Sequence, residues 1–149
     1  MSFTADLSAF ALRGTAALDK RVRAITTELF SSVIMSSPVG DRELWKRHIE
    51  HPNWALQPKG YVGGRFRGNW QTTQDVPAMG VTARIDPTGA MAIAEVAERM
   101  GGAGSITYMA NNLPYAQRLE YDGWSGRAPE GMVRVNMARL EAILVATKV

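Results

Sequence analysis

The sequence predicts an α+β fold: a long N-terminal helix leading a small, mainly antiparallel sheet that a middle and a C-terminal helix cover. Three observations carry that prediction. An apolar seam of helical period runs from Leu7 to Val33. Short segments of period 2 follow in the middle of the chain, at 66–73, 79–85 and 105–110. Helical stripes then return at 90–100 and towards the C terminus.

The first helix is expected over about 4–36. Ala11, Leu18 and Ile25 recur every seven residues, Leu7, Val22 and Leu29 fill the alternate positions, and Val33 continues the line. Thr4 is the expected N-cap, with Asp6 in the first turn. Ser36-Ser37-Pro38 ends the helix, because proline disfavours helix in the residue before it. At 1.5 Å per residue such a helix is about 50 Å long, more than a compact chain of this size spans, so part of it should project and pack on something else, a second copy included. The alternative is a break at Gly14 with the two pieces folded on one core.

Residues 39–60 read as an insert loop. Asp41 can cap a short helix through Leu44, Trp45 and His48, which Pro52 and Pro58 stop. His48 and His51 are three apart, yet no third ligand is near and the spacing is not that of a zincin; they read as surface histidines. The stretch 60–71 packs four glycines, two arginines and three aromatic residues into its length. It reads as glycine turns entering the first strand, where Phe66, Gly68, Trp70 and Thr72 alternate with Arg67, Asn69, Gln71 and Thr73. A second strand is expected where Met79, Val81, Ala83 and Ile85 alternate with Gly80, Thr82 and Arg84. A helix from Ala90 to Met100 should bury Ile93, Val96, Ala97 and Met100, and Gly101-Gly102 should stop it. A third strand at 105–110, a turn at Asn111-Asn112-Leu113-Pro114 and a short helix at 115–121 carrying Leu119 follow. After a loop at 122–126, Pro129 should open a final helix to about Ala146, burying Val133, Met137, Leu140 and Leu144, with Ile143 beside them.

The chain of 149 residues, 46% apolar and 21% charged, is expected to form one domain, with an α+β core over about 61–149. It has no cysteine, which removes disulfides and thiolate chemistry and suits a reducing compartment. No apolar run reaches the ~20 residues of a membrane helix, and nothing near Met1 reads as a signal peptide, so no membrane is expected among its partners. The net charge is +3, but the segment 42–67 alone holds Arg42, Lys46, Arg47, Lys59, Arg65 and Arg67 against Glu43 and Glu50. Such a basic loop is either simply solvated or meets an acidic partner or a phosphate backbone, making a nucleic-acid-binding protein the second reading.

Catalytic patterns are thin. There is no Gly-x-Ser-x-Gly elbow and no phosphate loop, and Gly101-Gly102-Ala103-Gly104 follows a helix rather than a strand, the reverse of a dinucleotide fingerprint. Glu120 and Asp122 lack a partner base. Neither an enzymatic role nor a cofactor is expected.

Two groups of motifs point to a family. Ser37-Pro38-Val39-Gly40, then Leu44-Trp45-Lys46 and Gly60-Tyr61-Val62-Gly63-Gly64-Arg65-Phe66-Arg67-Gly68-Asn69-Trp70-Gln71, form the first. Asn111-Asn112-Leu113-Pro114-Tyr115-Ala116-Gln117-Arg118-Leu119-Glu120-Tyr121 and the loop from Trp124-Ser125 to Ala128-Pro129-Glu130-Gly131-Met132-Val133-Arg134 form the second. In this order they resemble the neck and tail-completion proteins of tailed phages, the group of the minor tail protein Z of lambda-like phages. The Asp-Thr that relatives carry before the Gly-Arg is missing, and an insert separates Pro38-Val39 from Gly64-Arg65. The resemblance implies a non-enzymatic virion protein, assembled in the host cytoplasm. It would be a ring-forming subunit at the head–tail junction, contacting itself, the connector or adaptor, and tail-terminator or tail-tube proteins, with DNA passing non-specifically. Arg65, Arg67, Asn69, Tyr115, Arg118, Glu120 and Trp124 are the candidate interface residues, the arginines opposite the buried rings and Trp124 exposed on a glycine loop. Trp124 could instead fold back over the sheet.

Overall fold

The computed structural model describes residues 3–41 and 62–146. Its fold is α+β: a long N-terminal helix, a two-stranded antiparallel sheet and further helices packed on them. The expected insert helix, His48 and His51 lie outside the described residues, as do Arg42, Lys46, Arg47 and Lys59 of the basic segment.

Helix α1, Phe3–Ser36, runs unbroken through Gly14. The hydroxyls of Ser8 and Thr15 bond back to the carbonyls of Thr4 (2.8 Å) and Ala11 (3.0 Å), absorbing polar residues without leaving the helix. Thr4 lies inside the helix rather than capping it. Its end falls as expected: Ser37 turns its amide to Ile34 O (3.2 Å) and its hydroxyl to Val33 O (2.8 Å). The second half of α1 lies against α3 (Ala90–Arg99), α5 (Val133–Ala138) and α6 (Leu140–Ala146), with Val33 and Ile34 fully enclosed.

The first expected strand is replaced at its start by a helical turn, α2 (Arg65–Gly68), and β1 covers only Gln71–Gln74. Gly64, at φ 114°, sits with its α-carbon against Asp86 and Pro87, a conformation and a clearance that only glycine allows. The turn is closed by Gly68 N to Gly64 O (2.8 Å) and by the Asn69 amide side chain on Arg65 O (2.8 Å). Phe66 and Trp70 are buried as expected because positions four apart share a face in a helical turn just as they do in a strand.

Strand β1 pairs with β2 (Thr107–Ala110), matching Thr72 to Met109 and Thr73 to Tyr108. The second expected strand, 79–85, does not form. Side chains hold that segment in place of a ladder: Asn69 Oδ1 accepts Thr82 N (2.9 Å), while Gln71 and Asn112 donate to Gly80 O (2.7 and 3.0 Å). Arg84 reaches Gly68 O, Trp70 O and Glu95.

Helix α3 starts on a buried aspartate. Asp86 Oδ1 accepts Gly89 N (3.0 Å) and Oδ2 accepts Ala92 N (2.9 Å), satisfying amides that have no partner within the helix. Ala92 and Val96 are buried and Ile93 and Met100 pack beside them, whereas Ala97 is exposed, contrary to expectation.

Helix α4 (Ala116–Tyr121) buries Leu119. The expected final helix is two, α5 and α6, joined at Arg139, and Pro129 lies before them in a turn. The buried positions are Met132, Asn136 and Ile143, not Val133, Met137 and Leu144, which are 36%, 47% and 37% exposed. Met132 and Asn136 each precede an expected position by one residue, while Leu140 is half-buried and Ile143, expected beside the stripe, is buried. A polar residue hid the true stripe: Asn136 is enclosed because its amide donates to Ser36 Oγ (2.9 Å) and Met132 O (2.7 Å).

Candidate interaction surface

The seven expected interface residues divide into those that serve the fold and those that face out. Arg67 serves the fold. Its guanidinium donates to Ser37 O (2.7 Å) and Met35 O (3.0 Å) at the end of α1 and to Pro87 O (2.7 Å). A cation placed on the last carbonyls of a helix satisfies their missing partners and matches the negative end of the helix dipole. Burial holds its pKa below the usual arginine value, against the attraction of Asp86. The expectation that Arg67 is free for a neighbour is thereby corrected.

Asn69 is fully enclosed, its side chain tying Arg65 O to Thr82 N. Glu120 is 7% exposed and holds the start of α5. Its carboxylate accepts the amides of Met132 (2.8 Å), Val133 (3.0 Å) and Arg134 (2.9 Å), and the Arg134 guanidinium donates to Glu120 O. Burial pushes the Glu120 pKa up, but these three amides and the Arg134 charge outweigh it, and the carboxyl lies below its ordinary value. This grip on successive amides anchors the start of α5, where Met132 and Asn136 are buried. Gly131, at φ 86° against the Glu120 carbonyl, lets the chain pass that closely.

Four of the candidates face solvent or border on it. Arg65 is exposed on α2. Tyr115, half-buried, stacks at 6.0 Å on Phe66 and edge-on at 6.1 Å on Trp124. Phe66 in turn meets Trp70 edge-on at 5.8 Å, and Trp70 Nε1 donates to Ser37 Oγ (2.7 Å). A line of rings therefore leads from the end of α1 through the core to the surface. At its outer end Trp124 is 58% exposed, with the Arg118 guanidinium 5.8 Å from its ring. Trp124 does not fold back over the sheet.

Sequence reasoning missed the companion pair, Tyr121, 64% exposed, with Arg134 5.0 Å from its ring. No periodic signal marks it, since Tyr121 ends one helix and Arg134 begins another. Two exposed aromatic residues, each with an arginine against its ring, thus lie at the C-terminal end of α4; rigid rings with attached guanidinium groups are the residue types that anchor protein interfaces.

A second exposed feature is the first half of α1. Asp19 accepts Ala103 N (3.0 Å) and Arg23 Nε (2.9 Å), and Arg23 donates to Met100 O (3.2 Å). Between Thr4 and Leu18 every residue except Ala9 is exposed. Leu7, Phe10 and Leu18 are 54%, 69% and 56% exposed. Leu7, Ala11, Gly14 and Leu18 extend the line that Val22, Ile25, Leu29 and Val33 carry into the core, so one apolar stripe is half covered and half bare.

Among the described residues no three histidine, cysteine or acidic side chains are grouped to hold a metal ion, and no helix is long and apolar enough to cross a membrane. Comparison with protein-family models, curated proteins and solved structures finds no match to this chain.

Proposed function

We propose that this protein is a non-enzymatic structural subunit of a tailed-phage virion, a ring former at the head–tail neck that joins connector to tail. Two supports are independent of each other. The first is the ordered set of motifs over 37–134, which resembles the neck and tail-completion proteins. The second, and the observation that carries the reading, is the bare half of α1. Fully burying an exposed leucine or phenylalanine contributes about 1.5–3 kcal/mol, so Leu7, Phe10 and Leu18 together offer enough for a specific contact between copies. The Trp124–Arg118 and Tyr121–Arg134 pairs then supply a second surface, suited to the connector or the tail-terminator protein.

Sedimentation of the purified chain, alone and with the connector protein encoded by the same genome, tests the proposal. A stable multimer, or a chain that assembles only on the connector, is the expected result. A single chain indifferent to both overturns it.

A further inference from the structure

Among the described residues, the sheet has one covered edge and one open edge. Asp75 N donates to Ile106 O (3.0 Å), which sets the phase of the ladder: Thr73 with Tyr108 and Gln71 with Ala110 exchange main-chain bonds. The alternate residues turn theirs to the outer edges. On β1 that edge is covered, because Thr72 N donates to Glu95 Oε1 (2.8 Å) on α3. On β2 the outward N–H and C=O of Thr107 and Met109 have no hydrogen-bond partner among the described residues. The strand reads Thr-Tyr-Met-Ala, with neither the lysine nor the proline that usually blocks an edge.

The same chain carries a matching element. Segment 79–85 has the alternation of a strand but forms none, and its apolar members are bare: Met79 85%, Val81 53% and Ile85 46% exposed. Gly80, Thr82 and Arg84 are tied inward through Gln71, Asn112, Asn69 and Glu95. The main-chain groups of Val81, Ala83 and Ile85 have no partner among the described residues. Neither edge brings an unmatched charge to the other, since Arg84 is paired with Glu95 at 2.5 Å.

We propose that segment 79–85 of one copy adds as a strand to the outer edge of β2 in the next. Each edge supplies the main-chain donors and acceptors the other lacks, which is how a strand binds a sheet edge. The contact joins two different surfaces and therefore repeats from copy to copy, closing a ring or extending a filament. It rests on the reading that copies of this chain assemble, and it names a contact separate from α1.

The absence of native cysteine makes the test direct. Ala83 comes opposite Tyr108 when the added strand runs parallel to β2 and opposite Thr107 or Met109 when it runs antiparallel, so Thr107→Cys is tested beside Tyr108→Cys as its partner. Chains carrying Ala83→Cys, co-expressed with chains carrying Tyr108→Cys or Thr107→Cys and treated with a short bis-maleimide, should give a two-chain product with one of the two partners, while any variant alone should give none. The doubly substituted chain should give a ladder of multiples. Adding Val81→Pro, at a residue 53% exposed whose N–H no described group accepts, should abolish the product without altering the circular dichroism spectrum. Cross-linking of Tyr108→Cys, Thr107→Cys or Ala83→Cys to itself overturns the proposal, because like edges then meet. The same samples are sedimented alone and with the connector: assembled chains without the mixed product overturn strand addition alone, whereas single chains under both conditions overturn it together with the assembly reading.

Discussion

Asp19 takes the amide proton of Ala103 across 3.0 Å, joining α1 to the loop between α3 and β2 at the point where the helix leaves the core. Gly102 lies so close to that carboxylate that a β-carbon there would run into it. The hydrogen bond from Arg23, then that from Ala103, holds the Asp19 pKa below its ordinary value. In Asp19→Ala the Ala103 amide should exchange with solvent faster while the melting temperature hardly moves, because the site is exposed. Amide exchange followed by mass spectrometry checks this; an unchanged Ala103 rate would mean the loop is held elsewhere.

Arg67 should matter for stability rather than for assembly. Arg67→Ala strips donors from three carbonyls, Met35, Ser37 and Pro87, and should lower unfolding stability by about 2–3 kcal/mol. Arg67→Lys should restore little, since an ammonium cannot reproduce the planar fork. Urea unfolding of the three proteins measures both effects.

Glu120 predicts an acid limb. Its pKa is below the ordinary 4.5, so its contribution is complete above that pH and is lost as pH falls through the lower value of the folded protein. Glu120→Ala should remove that limb and destabilise the neutral protein by about 3 kcal/mol, leaving three amides at the start of α5 unsatisfied. Thermal melts from pH 7 to pH 3 show whether the variant's curve is the flatter one.

Trp124 should behave in the opposite way to Arg67. At 58% exposure, Trp124→Ala should change stability by no more than about 0.5 kcal/mol. Binding to the connector or tail-terminator partner should weaken by about 30-fold, the factor for a contact worth 2 kcal/mol. Titration calorimetry on the two proteins separates these outcomes.

How much of this was legible in the sequence depended on whether a residue acts through its apolar surface or its polar atoms. The α1 stripe from Val22 to Val33, the α3 face of Val96 and Met100, and Leu119 were legible because burial leaves a period. Phe66 and Trp70 were placed inward for the wrong local structure, since a spacing of four satisfies both a strand and a turn. Asn69, Asn136, Arg67 and Glu120 were not legible as parts of the fold: each satisfies backbone groups brought near only by the tertiary structure, and in sequence such residues look like surface ones. Segment 79–85 was read as a strand and has the pattern of one, but within one chain its neighbours are side chains. The sequence alone leaves Trp124 between exposure and a return over the sheet, because its glycine-flanked loop has no apolar period to join; the structure exposes it.

The central claim is that copies of this chain assemble through the bare half of α1. Sedimentation velocity of the intact chain and of the Leu7→Glu, Leu18→Glu double variant tests it most directly. Both residues are already more than half exposed, so the variant should keep the circular dichroism and melting temperature of the parent. A multimer is expected of the parent, alone or with the connector, and a smaller species of the variant under the same conditions. A variant that assembles like the parent, or a parent that sediments as a single chain both alone and with the connector, would contradict it.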